Sequence, residues 1–250
     1  MDLIIRSAIH TICFIFLCTV NLSNANDFKL DKTRISFDEK DRRQEFRIYN
    51  DSNELQSFRV TLTEMKMHKA GHLESVVDYP LSAKKYLRVG PRISRNIPAK
   101  SFAKIRLIKK EVNDIGEFRS HIVVESIKTE AEKKSSGISI QPNIKYVIPV
   151  FIRNYSSERK AKVTLKKHRY DNENLSLLFS RNGIGSFSGN LVIQDEKGNE
   201  LYRANQVSIY PELNQREFRT NIKRNSFSGS LTIIMEGLDD SSEIQYETHI

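Results

Sequence analysis

The sequence predicts an all-β protein of two tandem β-sandwiches, and three observations predict it. Apolar and polar residues alternate with period two along nearly the whole chain beyond its first stretch, turn signals punctuate the alternation at short intervals, and no window places apolar residues at helical spacing. The length of 250 residues fits two domains of about 100–150 residues each.

The first stretch stands apart. One basic residue lies within Met1–Arg6, an apolar run follows from Ala8 to Val20, and Ser23-Asn24-Ala25 supplies small residues where a signal peptidase inspects the chain. Residues 1–25 read as a secretory signal, cleaved after Ala25. The alternative, a membrane anchor, needs roughly 20 apolar residues, more than this run provides. Both cysteines, Cys13 and Cys18, fall inside the signal. The mature chain therefore has no disulfide, thiol nucleophile or cysteine metal site, and its sandwiches must rely on core burial.

Each element follows from its pattern. Phe28 and Leu30 share one parity, whereas Ile35 and Phe37 share the other, so the first strand slips phase near Lys32-Thr33. A slip exchanges the buried face, which a strand accommodates only by bending from one sheet to the other. Phe46 and Ile48, then Phe58, Val60 and Leu62, then Ala103, Ile105 and Leu107 alternate with polar residues. Asn50–Asn53, Ala70-Gly71, Gly90-Pro91 and Asn113–Gly116 are the turns between. This spacing of short strands is that of an immunoglobulin-like sandwich.

Polar Lys128–Ser136 separates the halves, and the second is placed from near Ile144: Val147, Val150 and Ile152, Val163 and Leu165, Leu175 and Leu177, Leu191 and Ile193, Val207 and Ile209, and Leu231, Ile233 and Met235. Asp195–Asn199 is a hairpin turn. The expected organisation is a signal at 1–25, a first domain at 26–142 and a second at 143–250.

The order of elements and several short runs resemble the PapD-like periplasmic chaperones of the chaperone–usher pathway, which build fimbriae and pili. The runs are Leu30–Phe37, Ile48–Asp51, Ile97–Ser101 with Ile105–Leu107, and Gly116–His121, the last similar to less studied branches. Val123–Lys128 departs from the family's asparagine and closing proline, and Gly137 interrupts the strand that follows. The resemblance implies two immunoglobulin-like domains in an L-shaped arrangement, a periplasmic location, a fimbrial or pilus subunit as client and an outer-membrane usher as recipient. It leaves open a self-capped dimer of the free protein.

The resemblance also implies a site. A fibre subunit of this kind is an incomplete sandwich exposing apolar core and unpaired backbone, and a chaperone strand fills both needs. The donor strand here would be Ser136–Gln141, with Ile138 and Ile140 on one face and Pro142 ending the pairing. Two buried isoleucines contribute roughly 3–6 kcal/mol before ordering costs. Periodicity alone reads the same segment as an ordinary final strand. The family's client-carboxylate anchor maps to Arg34 and Lys145, which without the resemblance are two of forty cations.

Other chemistry is set aside. His68 and His72, with Met65 and Met67, frame a hairpin turn rather than a metal site, and Ser120 and His121 point to opposite faces of one strand. Asp239-Asp240 reads as a solvated turn. No phosphate-binding loop, dinucleotide fingerprint, nucleophile elbow or zinc-protease motif occurs, so no enzyme activity, cofactor, metal or small-molecule substrate is expected. The net charge of +9 is spread along the strands rather than gathered in one arm, which favours an acidic protein client over nucleic acid. Two rival functions remain at this point: a structural fibre subunit or adhesin, and a polyanion-binding sandwich.

Overall fold

A computed structural model describes residues 28–127, 144–156, 160–238 and 244–250. The first sandwich is built from β1 (Phe28–Leu30), β2 (Ile35–Phe37), β3 (Arg43–Asn50), β4 (Gln56–Met67), β5 (Leu73–Val76), β6 (Leu87–Gly90), β7 (Ile93–Ile97), β8 (Phe102–Lys109), β9 (Gly116–Ser126) and β10 (Lys145–Asn154). One sheet has the order β1-β3-β8-β6; the other has β2-β10-β9-β4-β5, with β7 also on β4.

The phase slip is the sheet switch it predicts. β1 pairs antiparallel with β3 in one sheet, and β2 pairs parallel with β10 in the other. Because the bend falls between them, Phe28, Ile35 and Phe37 all reach the same core despite their opposite parities. Phe46, Ile48, Phe58, Val60, Ala103, Ile105 and Leu107 are buried in it as the alternation requires, while Leu62 packs half-buried against it.

The second sandwich comprises β11 (Lys162–Asp171), β12 (Asn174–Asn182), β13 (Phe187–Gln194), β14 (Glu200–Ile209), β15 (Gln215–Lys223), β16 (Thr232–Gly237) and β17 (Ile244–His249). Its sheets are β11-β12-β15 and β14-β13-β16-β17. The β13–β14 turn is held by the Asp195 carboxylate, which accepts the Lys197 and Asn199 amides. Alternation in Gln215–Lys223 buries Phe218 and Ile222, a strand the sequence reading passes over.

The boundary between the halves requires correction. β10 pairs with β9 along its whole length, and Ile148, Val150 and Ile152 enter the first core. The strand expected to open the second domain therefore completes the first, and residues 128–143 connect two neighbouring strands of one sheet. Period-two alternation names a strand without naming the core it enters, and the boundary lies beyond Asn154. Among the described residues the helical content is a single 3₁₀ turn at Lys84–Tyr86, and no helix is long and apolar enough to cross a membrane.

Candidate functional site

β9 is buried on both faces, and this is what joins the sandwiches. Phe118, Ile122 and Val124 point into the first core, while Glu117, Arg119 and His121, on the other parity, face the second sandwich. Arg119, fully buried, donates from Nη2 to Glu212 Oε1 at 2.8 Å and to the Met65 carbonyl at 2.7 Å, and from Nη1 to Glu212 Oε2 at 3.2 Å. Its guanidinium lies over the Tyr210 ring at 3.7 Å. Glu212 also accepts the Met67 amide at 2.7 Å and the Tyr79 hydroxyl at 2.9 Å. Burial alone would raise the Glu212 pKa, but the hydrogen bonds and charge of Arg119 and the Met67 amide outweigh it and hold the carboxyl below its usual value.

A second carboxylate runs the other way. Glu117, from the first sandwich, accepts the Ser186 amide of the second at 3.0 Å, together with the Tyr155 hydroxyl and Arg153 Nε, each at 3.3 Å. Gly185 lets the chains approach: its φ is +91°, and a Cβ there would lie 2.1 Å from the Tyr155 hydroxyl oxygen. Each sandwich thus lends the other one buried, fully engaged acid. Phe151 and Met67, on strands of the first sandwich, complete the joint by packing into the second core.

Arg34 lies beside this joint. It immediately precedes Ile35, which is abreast of Val150, so it stands next to Pro149 at the sheet's edge. Its guanidinium lies 4.9 Å from the centre of the Phe151 ring. Burial raises the Tyr210 pKa, and the Arg119 and Arg34 charges both act against that rise, so Arg34 sits within electrostatic range of the second sandwich. His121, abreast of Pro149 on β10 and Thr63 on β4, extends this row across the sheet. Burial first, then the Arg119 charge, pushes its pKa down to about 4, so it is neutral at physiological pH.

Lys145 does not join Arg34. It opens β10 roughly 13 Å along the strand from Pro149, counting four residues at strand rise. There it pairs with Glu125, directly abreast on β9, at 3.0 Å. Arg34 turns toward Phe151 and Lys145 toward Glu125, so the two cations do not converge. The joint of Arg119, Glu212 and Glu117 escapes sequence reasoning because its members lie 93 and 69 positions from their partners. On β9 its charged residues also alternate with apolar ones as a solvated face would.

Ile138 and Ile140 lie outside the described residues, as do Asp239-Asp240. What the structure does place is the strand immediately after the expected donor segment. β2 covers β10 only at Val150–Ile152, so among the described residues Lys145–Pro149 has no strand partner on that side. Val147 is 40% exposed there. His68 and His72 stack at 4.6 Å across the β4–β5 turn, as expected of a hairpin, and no group of three or more His, Cys, Asp or Glu side chains that could hold a metal ion occurs among the described residues.

No family model matches the sequence, and comparison with curated proteins finds no match. Comparison with solved structures does. The chain superposes with a TM-score of 0.56 on a chain of the CsuC–CsuE chaperone–tip subunit pre-assembly complex from the archaic chaperone–usher Csu pili of Acinetobacter baumannii, at 11% identity over 90% of this chain and 98% of that one. It superposes at 0.51 on the class 5 fimbriae chaperone CfaA, at 17% identity over 89% and 97%. The E. coli chaperone DraB gives 0.51 at 14% identity over 89% and 95%. The chain has the two-sandwich fold of these fimbrial chaperones over about nine-tenths of its length, a fold the sequence pattern predicts.

Proposed function

We propose that the protein is a periplasmic, ATP-independent chaperone that binds a fimbrial or pilus subunit by lending it a β-strand and passes it to an outer-membrane usher. The observation that carries this reading is that, among the described residues, Lys145–Pro149 of β10 has no strand partner on one side, directly downstream of Ile138 and Ile140, in a chain with the fold of such chaperones. An unpaired edge with an apolar flank is a hazard for a protein that does not use it and a means of binding for one that does. In this reading residues 136–141 supply the two isoleucines to the subunit's open groove, and main-chain hydrogen bonds extend the subunit's sheet.

Arg34 is the proposed anchor for the subunit's terminal carboxylate. It lies on the side of β10 where the client strand would run, and its planar fork suits a carboxylate with about 1.5–3 kcal/mol per charge-assisted hydrogen bond. The aromatic ring of Phe151 beneath it fixes its plane. The joint of Arg119, Glu212 and Glu117 has the supporting role, because directional bonds between the sandwiches hold them at one angle while clients come and go.

The test is periplasmic co-expression with a cognate fibre subunit. The subunit is expected to co-purify with the wild-type protein and to be lost, with the chaperone still folded, in Arg34→Ala. A subunit that accumulates equally with Arg34→Ala removes the anchor. Recovery of this protein in shed fibres would make it a fibre component instead.

A further inference from the structure

We propose that β15 is a separate docking edge, one that accepts an extended acidic segment of a partner protein. Among the described residues the second sandwich is open between β15, which pairs only with β12, and β14, which pairs only with β13. A groove of about 830 Å³ runs along the outer side of β15 and is lined by five consecutive residues of that strand, Gln215–Arg219. Consecutive residues point to alternate faces, so a cavity touching all five passes round the strand's open edge, and its Lys167, Arg169, Ser176 and Leu178 lining, abreast across β11 and β12, carries it on over the outer face of the sheet. Five residues span roughly 16 Å, the length of a short added strand.

The walls specify what would bind. Phe218, Val207 and Ala204 give the groove an apolar lining on the core side of β15, and Leu178, abreast of Glu217, gives it one on the outer face. Lys69, Lys167, Arg169, Arg216 and Arg219 line it with five cations, against one carboxylate, Glu217. That carboxylate is already engaged, by Ser176 and Arg169 each at 2.9 Å and by Arg219 at 3.6 Å. Hydrogen bonds from Ser176 and Arg169 lower its pKa, so it stays ionised and bound to its own neighbours. The remaining positive charge has no counterpart in the groove.

Cations on a free edge repel most strands, which is how natural sheets avoid edge-to-edge association. The same charges admit one class of strand, in which apolar residues that reach the apolar lining alternate with acidic residues that meet the rim. Arg216 marks the closed end of the groove, donating to the Ser208 carbonyl where β14 and β15 draw together. Gly71, at the tip of the β4–β5 hairpin, comes close enough that a Cβ would lie 2.1 Å from the Arg216 guanidinium, so the first sandwich shapes that end.

The experiment uses the purified protein and two fluorescently labelled octapeptides, (Val-Glu)₄ and (Val-Lys)₄, read by anisotropy. (Val-Glu)₄ is expected to bind with an affinity that falls as salt rises, and (Val-Lys)₄ is not. The charge-reversed pair Arg169→Glu with Arg219→Glu, both exposed positions that a folded protein tolerates, is expected to weaken binding at least tenfold with an unchanged circular dichroism spectrum. Arg219→Gln is expected to do so to a smaller degree. Methylating alternate backbone nitrogens of (Val-Glu)₄ is expected to abolish binding. No binding of (Val-Glu)₄, equal binding of both peptides, indifference to the Arg variants, or full binding of the methylated peptide would each overturn the proposal. So would a preference for phosphatidylglycerol vesicles over the peptide.

Discussion

The two cores and the joint between them are built on opposite principles. Inside each sandwich, apolar side chains such as Phe46 and Phe58, or Leu177 and Phe179, pack with almost no exposure. Between the sandwiches the buried groups are Arg119, Glu212 and Glu117, tied by short hydrogen bonds across the gap, with His121 buried beside them. Apolar burial is strong but directionless, and it makes each half fold. Charged hydrogen bonds return little net stability once desolvation is counted, but they fix orientation. The apolar cores thus hold each half together, while the charged joint sets how the two halves meet.

This contrast can be broken most forcefully at Glu212. Glu212→Leu leaves the Arg119 charge buried without its carboxylate, and a loss of about 3–5 kcal/mol is expected in denaturant unfolding. Adding Arg119→Met is expected to recover most of that loss, since an apolar pair of similar volume avoids the desolvation cost. The double variant should nevertheless hold its subunit less well. If it is as poor in stability as the single variant, the joint is a source of stability rather than of orientation.

A smaller effect distinguishes the joint by pH. The folded pKa of His121 lies below its ordinary value of 6.5, at about 4, so the unfolded chain binds its proton first as pH falls. Its contribution is therefore complete above pH 6.5 and declines between 6.5 and 4, by about 1 kcal/mol per pH unit. The depressed Glu212 carboxyl adds loss in the same direction at the acid end, below the ordinary carboxylate value. Replacing His121 with Asn is expected to flatten the slope between pH 6.5 and 4 in chemical denaturation, leaving only the carboxylate part. An unchanged slope would place the titration elsewhere.

The smallest effect belongs to Lys145. Its pair with Glu125 is solvent-exposed on the lysine side, and Lys145→Ala is expected to change stability by less than about 1 kcal/mol. Client retention should also fall far less than in Arg34→Ala, because the two cations do not converge.

How much of this was legible in the sequence depended on whether a feature was local. Alternation at Phe58–Leu62 or Ala103–Leu107 is a property of one strand, and it located both strands and their buried faces. The slip between Leu30 and Ile35 is equally local, and it revealed the change of sheet. The placement of Val150 and Ile152 was not legible, because an alternating strand reads the same whichever core it enters. Nor could Arg119 be matched with Glu212: a charge at a strand position that normally meets water carries no mark of the second domain that covers it. Lys145 matched a family motif by position, while the register with Glu125 that decides its partner emerges only from the paired strands.

The proposed function requires that residues 136–141, leading into β10, be lent to a client, and the absence of cysteine after Cys18 permits a direct trial. Ile138→Cys and Ile140→Cys, each expressed with a subunit carrying a single cysteine in its open groove, should form a disulfide-linked pair in the periplasm in one register, while a cysteine at exposed Glu74 should not. Equal trapping at all three positions, or none at Ile138 and Ile140 with the complex intact, would contradict it.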